Sequence, residues 1–111
     1  MENRSLTTLA DELLETARAS SSGRSATTVY GGHEHDLRQT VIAIVGGRSL
    51  GEHDSPGEAT LQVLRGDVRL HAGEETWEGA AGHYLHIPPR RHDLEARTDA
   101  VVMLTVASRA D

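Results

Sequence analysis

The chain has 111 residues, a length that predicts one domain around one modest core. Its 17 acidic residues against 11 basic ones leave a net charge of −6, which argues against a nucleic-acid backbone as partner. Cysteine and lysine are both absent, which excludes disulfides, thiolate metal sites, cysteine nucleophiles and Schiff-base chemistry.

In chain order the first element is a helix. From Ser5 to about Ala19, the apolar residues Leu6, Leu9, Ala10, Leu13, Leu14 and Ala17 recur every three or four positions. That is one stripe of a 3.6-residue helix, with Ser5 placed to cap it and Asp11, Glu12 and Glu15 on the wet side. Ser20-Ser21-Ser22-Gly23 then supplies turn residues that end it. Beyond Gly23 the pattern changes to short strand-like runs near 25–30, 37–45, 59–65, 67–72, 74–78, 83–87, 92–97 and 100–107. Gly66-Asp67, Ala72-Gly73-Glu74 and Thr98-Asp99 read as tight turns between them. The chain therefore divides into an N-terminal helix and linker over 1–24 and a β domain over 25–111.

Two of these runs carry more information than the rest. Ala100 to Ala107 is apolar on both pleat faces, and Thr40 to Val45 nearly so. A strand buried on both sides lies in a wall covered by a second layer or by a partner subunit. Short strands at regular spacing predict a sandwich or a closed barrel, with the helix covering its exterior or a dimer seam. Trp77 is expected on the barrel surface or in that seam. No apolar run is long enough to cross a membrane, and no targeting signal is recognisable, so the expected location is the cytoplasm.

Histidine is the residue type that points to chemistry. There are 7, at 33, 35, 53, 71, 83, 86 and 92, and imidazole is the commonest metal ligand where cysteine is missing. Arg38, Arg69, Arg90 and Arg91 are candidates for a carboxylate or phosphate ligand, because the guanidinium fork matches such anions. No serine sits in a setting that suggests a hydrolase triad, and no glycine pair stands in a phosphate-loop context.

The stretch from Gly47 through His53, Ser55, Glu58 and Ala59 to Gly66 resembles the first motif of the cupin superfamily, G-x5-H-x-H-x3,4-E-x6-G. Gly82-His-Tyr-Leu-His-Ile-Pro88-Pro-Arg-Arg-His92 resembles the second, G-x5-P-x-G-x2-H-x3-N, with His92 one residue early. The resemblance covers roughly 37–107 and is closest to small actinobacterial cupins. It implies an all-β jelly-roll barrel with a short N-terminal α-helix, commonly a homodimer. It also implies a divalent ion inside the barrel on three histidines and a glutamate. His53 matches the first ligand and His92 the last, while Ser55 stands where the second histidine belongs and Ala59 replaces the glutamate.

Glu58, His33, His35 and His86 are the candidate substitutes for the lost ligands. Strand alternation turns Glu58 to the wrong face unless a bulge re-aims it. His33 and His35 form a same-face pair if their stretch is extended. The expectation is a small-molecule-binding cupin with a reduced metal site on His53 and His92. The ion would be Fe, Mn, Ni, Cu or Zn, and the protein a metal-dependent enzyme acting on a small polar organic molecule. The alternative is a metal-free, non-catalytic cupin that binds or senses a ligand. A third reading gives the helix over 5–19 a protein partner. No nucleic acid and no membrane is expected as a partner.

Overall fold

A computed structural model describes residues 1–55 and 57–107. The helix α1 spans Leu6–Ala19. Ser5 caps it, its hydroxyl accepting from the Thr8 N–H at 3.1 Å, and the periodic stripe of Leu9, Ala10, Leu13, Leu14 and Ala17 is the buried face. Strands follow at β1 (Arg24–Tyr30), β2 (Leu37–Ile44), β3 (Glu58–Arg65), β4 (Asp67–Ala72), β5 (Glu75–Ala80), β6 (Tyr84–His86), β7 (Asp93–Ala96) and β8 (Ala100–Ala107). Each lies within a few residues of a run read from the sequence, and the tight turns fall where they were expected.

The strands form two antiparallel sheets, ordered β1-β2-β8-β3-β6 and β5-β4-β7. Residues 47–53 run beside β7 and extend the smaller sheet irregularly, with Leu50 N–H on the Leu94 carbonyl at 3.0 Å and bridges at Ser49–Glu95 and His53–His92. The sheets face each other across a core of aliphatic side chains that includes Ile44, Leu61, Val63, Leu70, Leu94 and Val102. β8 is central in the large sheet and is buried on both faces, as its composition requires. Val102 and Val106 point into the sandwich, whereas Val101 packs under α1 with Val41 and Ala43. The helix thus covers the outside of the large sheet and shares a second core with it. Arg18 and the Gly46 N–H both bond to Asp99, at 2.9 Å each, and fasten the end of the helix to the β7–β8 turn.

The β3–β4 turn shows why one glycine is required. Gly66 has φ +75, and a Cβ there would stand 2.2 Å from the Asp99 carbonyl oxygen. The backbone of two hairpin turns meets at that point, and only glycine allows it.

Trp77 differs from expectation. It packs against the interior core instead of an outer surface, because it pairs with Leu70 across β4 and β5 and so shares its inward face.

Candidate functional site

β1 ends, β2 begins, β3 begins and β8 ends at the same end of the sandwich, as the pairing of Leu37 with Ala107 and of Ala107 with Glu58 shows. At this end β7 begins also, and residues 51–55 pass beside it. His53 and His92 face each other there as a reciprocal backbone pair, each N–H on the other's carbonyl at 2.9 Å. Directly opposed residues in an antiparallel pair project to the same side. His92 follows the alternation of buried Leu94 and Ala96, so its side chain turns inward and is 4% exposed; His53 lies at the open rim and is exposed. The two rings sit edge to face with centroids 4.5 Å apart.

Both imidazoles are held by their own backbone neighbourhood. Nδ1 of His53 lies 2.9 Å from the Gly51 carbonyl, and Nδ1 of His92 lies 2.8 Å from the Arg90 carbonyl. A carbonyl only accepts, so each Nδ1 must carry the proton and each Nε2 presents its lone pair when the ring is neutral. That tautomer, with the distal nitrogen free and the proximal one donating to a carbonyl, is the arrangement that orients metal-ligating histidines. The Gly51 N–H bonds in turn to the Asp93 carboxylate at 2.9 Å.

Outward from the same bridge, Arg91 pairs with Glu52 at 2.6 Å and with Asp54 at 3.4 Å. The hydrogen bond that Arg91 donates to Glu52, reinforced by Asp54, holds the Arg91 proton still more firmly than usual. Residues 52, 54 and 91 alternate with 53 and 92, so the ion pairs brace the outer face of the strand pair that carries the histidines on its inner face.

The sequence-predicted substitutes are not brought to this pair. Glu58 is on the outer face of the large sheet, as alternation predicts without a bulge at its position, and it lines an external groove of about 810 Å³ with Tyr84 and His86. His86 pairs across to Thr60 and is exposed on that same outer face. His33 and His35 are exposed in the β1–β2 loop, where His35 stacks on Tyr30 at 4.9 Å and both histidines line a separate hollow with Arg38. Among the described residues no group of three or more histidines and carboxylates is placed to hold one ion. Of the arginine candidates, Arg69 bonds to Glu78 at 3.1 Å on the outside of the small sheet, and Arg90 pairs with Glu75.

No protein-family model matches the chain, and no curated protein matches it in sequence. Solved structures do match in shape. A conserved protein of unknown function from Streptococcus pyogenes superposes with a TM-score of 0.72 at 26% identity, over 83% of this chain and 80% of that one. A cupin superfamily protein from Desulfitobacterium hafniense gives 0.71 at 10% identity, over 78% of each chain. An RmlC-like cupin from Shewanella frigidimarina gives 0.70 at 16% identity, over 81% of this chain and 80% of that one. The chain has the cupin fold.

Within this fold the motif positions can be located. His53 and His92 meet at the barrel end, so the first and last motif histidines are neighbours. The intervening positions offer no further donor to an ion. The Ser55 hydroxyl donates to the Gly57 carbonyl at 2.9 Å, and Ala59 is packed into the aliphatic interior beside Leu61 and Ile87. A four-ligand centre does not fit these residues; a pair of oriented imidazoles does. No helix among the described residues is long and apolar enough to cross a membrane.

Proposed function

We propose that this cupin binds a small polar organic ligand at the end of its barrel through a divalent transition ion held on His53 and His92. The observation that carries the reading is the shared tautomer: both Nδ1 atoms are committed to backbone carbonyls, which leaves two Nε2 lone pairs on rings 4.5 Å apart. Fe, Mn, Ni, Cu and Zn all accept imidazole nitrogen. Two protein donors leave several coordination positions open, more than the single open position usual in a catalytic zinc site. A ligand with its own carboxylate or hydroxyl donors would complete the set, and a bound ion would supply Lewis-acid polarisation. The chain's part is to fix the two rings, through Gly51 and Arg90, and to exclude water on the barrel side with the aliphatic core behind His92.

A metal-free, ligand-sensing cupin is the second reading. It is favoured by Ser55 and Ala59, which leave the two other motif positions without a donor, and by an interior filled with aliphatic side chains.

Metal content by mass spectrometry on untagged protein separates the two, with His53→Ala and His92→Ala alongside. Near-stoichiometric metal that both variants lose supports the first reading. Only traces, even after reconstitution with each of the five ions, would discard it in favour of the second.

A further inference from the structure

The geometry points to a second binding site, in the lateral gap where the two sheets fail to join, built for a small apolar molecule bearing a carboxylate. β5 and β6 are the edge strands of their sheets on the same side of the sandwich, and they are not paired to each other. Between them lies a cavity of about 320 Å³, at the small end of the range for ligand pockets. Leu70, Trp77, Leu85 and Pro88 supply most of its apolar wall, and its polar side groups are Glu75, Thr76, Arg90 and, at the strand edge, His86. The histidine pair is not part of the lining. The indole of Trp77 lies over Gly79, where a Cβ would come within 2.2 Å of the ring, so β5 carries a glycine at the place the ring occupies. Apolar surface facing an open gap between two strand edges is not what closure of a core produces; it suits a ligand that finishes the wall.

The charge at the rim selects an anion. Arg90 and Glu75 form an ion pair there, with Arg90 49% exposed and Glu75 75% exposed. A pair that open contributes little to stability, so exchanging one carboxylate for another costs little. The arginine has the anchored backbone: its main-chain N–H bonds to the Pro88 carbonyl at 2.8 Å and its own carbonyl holds Nδ1 of His92. Glu75 opens β5 directly after the Gly73-Glu74 turn and can swing into water. A ligand carboxylate therefore displaces Glu75 and takes the guanidinium fork in two parallel bonds, with its apolar part against Trp77.

Trp77 is the only tryptophan, so its fluorescence reports the site directly. The test titrates the intact protein with benzoate, and with benzamide as the uncharged analogue of the same shape. Benzoate is expected to change the emission saturably at millimolar concentration or below, with benzamide about tenfold weaker or worse, as befits loss of a charge-assisted bond. Arg90→Gln should weaken benzoate by about tenfold, and Glu75→Gln should tighten it, because the internal competitor is gone. His53→Ala should leave benzoate binding unchanged, which keeps this site separate from the metal reading. No saturable signal, equal affinity for the two probes, weaker binding in Glu75→Gln, or loss in His53→Ala would each overturn the assignment. The comparison of the two probes and the Glu75→Gln variant stand even if Arg90→Gln fails to fold.

Discussion

His92 is the one buried polar side chain among the described residues, and its burial dictates its proton. An imidazole withdrawn from water must satisfy its nitrogens inside the protein, and the carbonyl of Arg90 satisfies only a protonated Nδ1. His53 is exposed and could use water, yet Gly51 imposes the same choice on it. His83 is the opposite case: its Nδ1 accepts from the Ala80 N–H at 2.8 Å, so its proton sits on Nε2. Nitrogen-15 correlation spectra of the imidazoles at pH 8 are expected to show Nδ1–H tautomers for His53 and His92 and the Nε2–H tautomer for His83. An Nε2–H signature at His92 would remove the donor on which the metal reading depends. The sequence motif identified His53 and His92 as a pair but carried nothing about their protons, because the groups that set them are backbone carbonyls two residues upstream. It was also silent on whether Glu58, His33, His35 and His86 reach them. Alternation predicted the outward placement of Glu58. The reach of the 31–36 loop depends on how far β1 and β2 extend past the small sheet, which no local pattern encodes.

Among the elements, α1 was the most legible, since a 3.6-residue stripe has one physical interpretation and the buried residues are those the stripe named. What it covers was not legible: a stripe specifies an apolar partner but not which one. β8 resolves this, because its odd-numbered side chains Val101 and Met103 need cover on the outside of the large sheet and α1 provides it. β6 shows the opposite limit. Tyr84–His86 pair fully with β3, the His83 carbonyl and the Ile87 N–H still bond to Val63 and Ala59 at 2.9 Å, and the ladder stops at Pro88, which has no N–H to continue it. Trp77, expected on the barrel surface or in a dimer seam, is turned inward by the β4–β5 register, which the sequence does not print. If the helix is structural, truncation within its stripe must cost as much as truncation in a core. Leu13→Ala is expected to lower unfolding free energy by about 2–5 kcal/mol in urea titration. Ser5→Ala should cost about 1 kcal/mol through the lost cap. A Leu13→Ala cost under about 0.5 kcal/mol, the range of surface substitutions, would mean that α1 detaches freely and would revive a partner-docking role for it.

Across the whole molecule, α1 is tied to the sandwich at two polar points, Arg65 of β3 on Asp11 and the Thr7 carbonyl, and Arg18 on Asp99. The Gly46 N–H donates to Asp99, and Arg18 donates to it from the end of α1; together these hold its carboxyl below the usual carboxylate range. Glu78 is lowered as well, first by its hydrogen bond from Arg69, with Arg97 adding to it across the outside of the small sheet. A carboxylate whose folded pKa is depressed stabilises the fold fully above its unfolded value, near 4. That contribution is lost as pH falls through the lower folded value, where protonation removes the negative charge that strengthens the bonds from Gly46 and Arg18. Melting temperature followed by circular dichroism should therefore fall steeply below about pH 4. Asp99→Asn is expected to start lower at neutral pH, because the charge-assisted bond to Arg18 is gone, and then to fall less steeply in acid, because the group no longer titrates. Glu78→Gln should change the profile less, since its ion pairs are solvated and tie no two elements of different layers together. An Asp99→Asn profile parallel to that of the wild type would show that the acid sensitivity resides in other carboxylates, and that the junction between helix and barrel does not depend on the Asp99 charge.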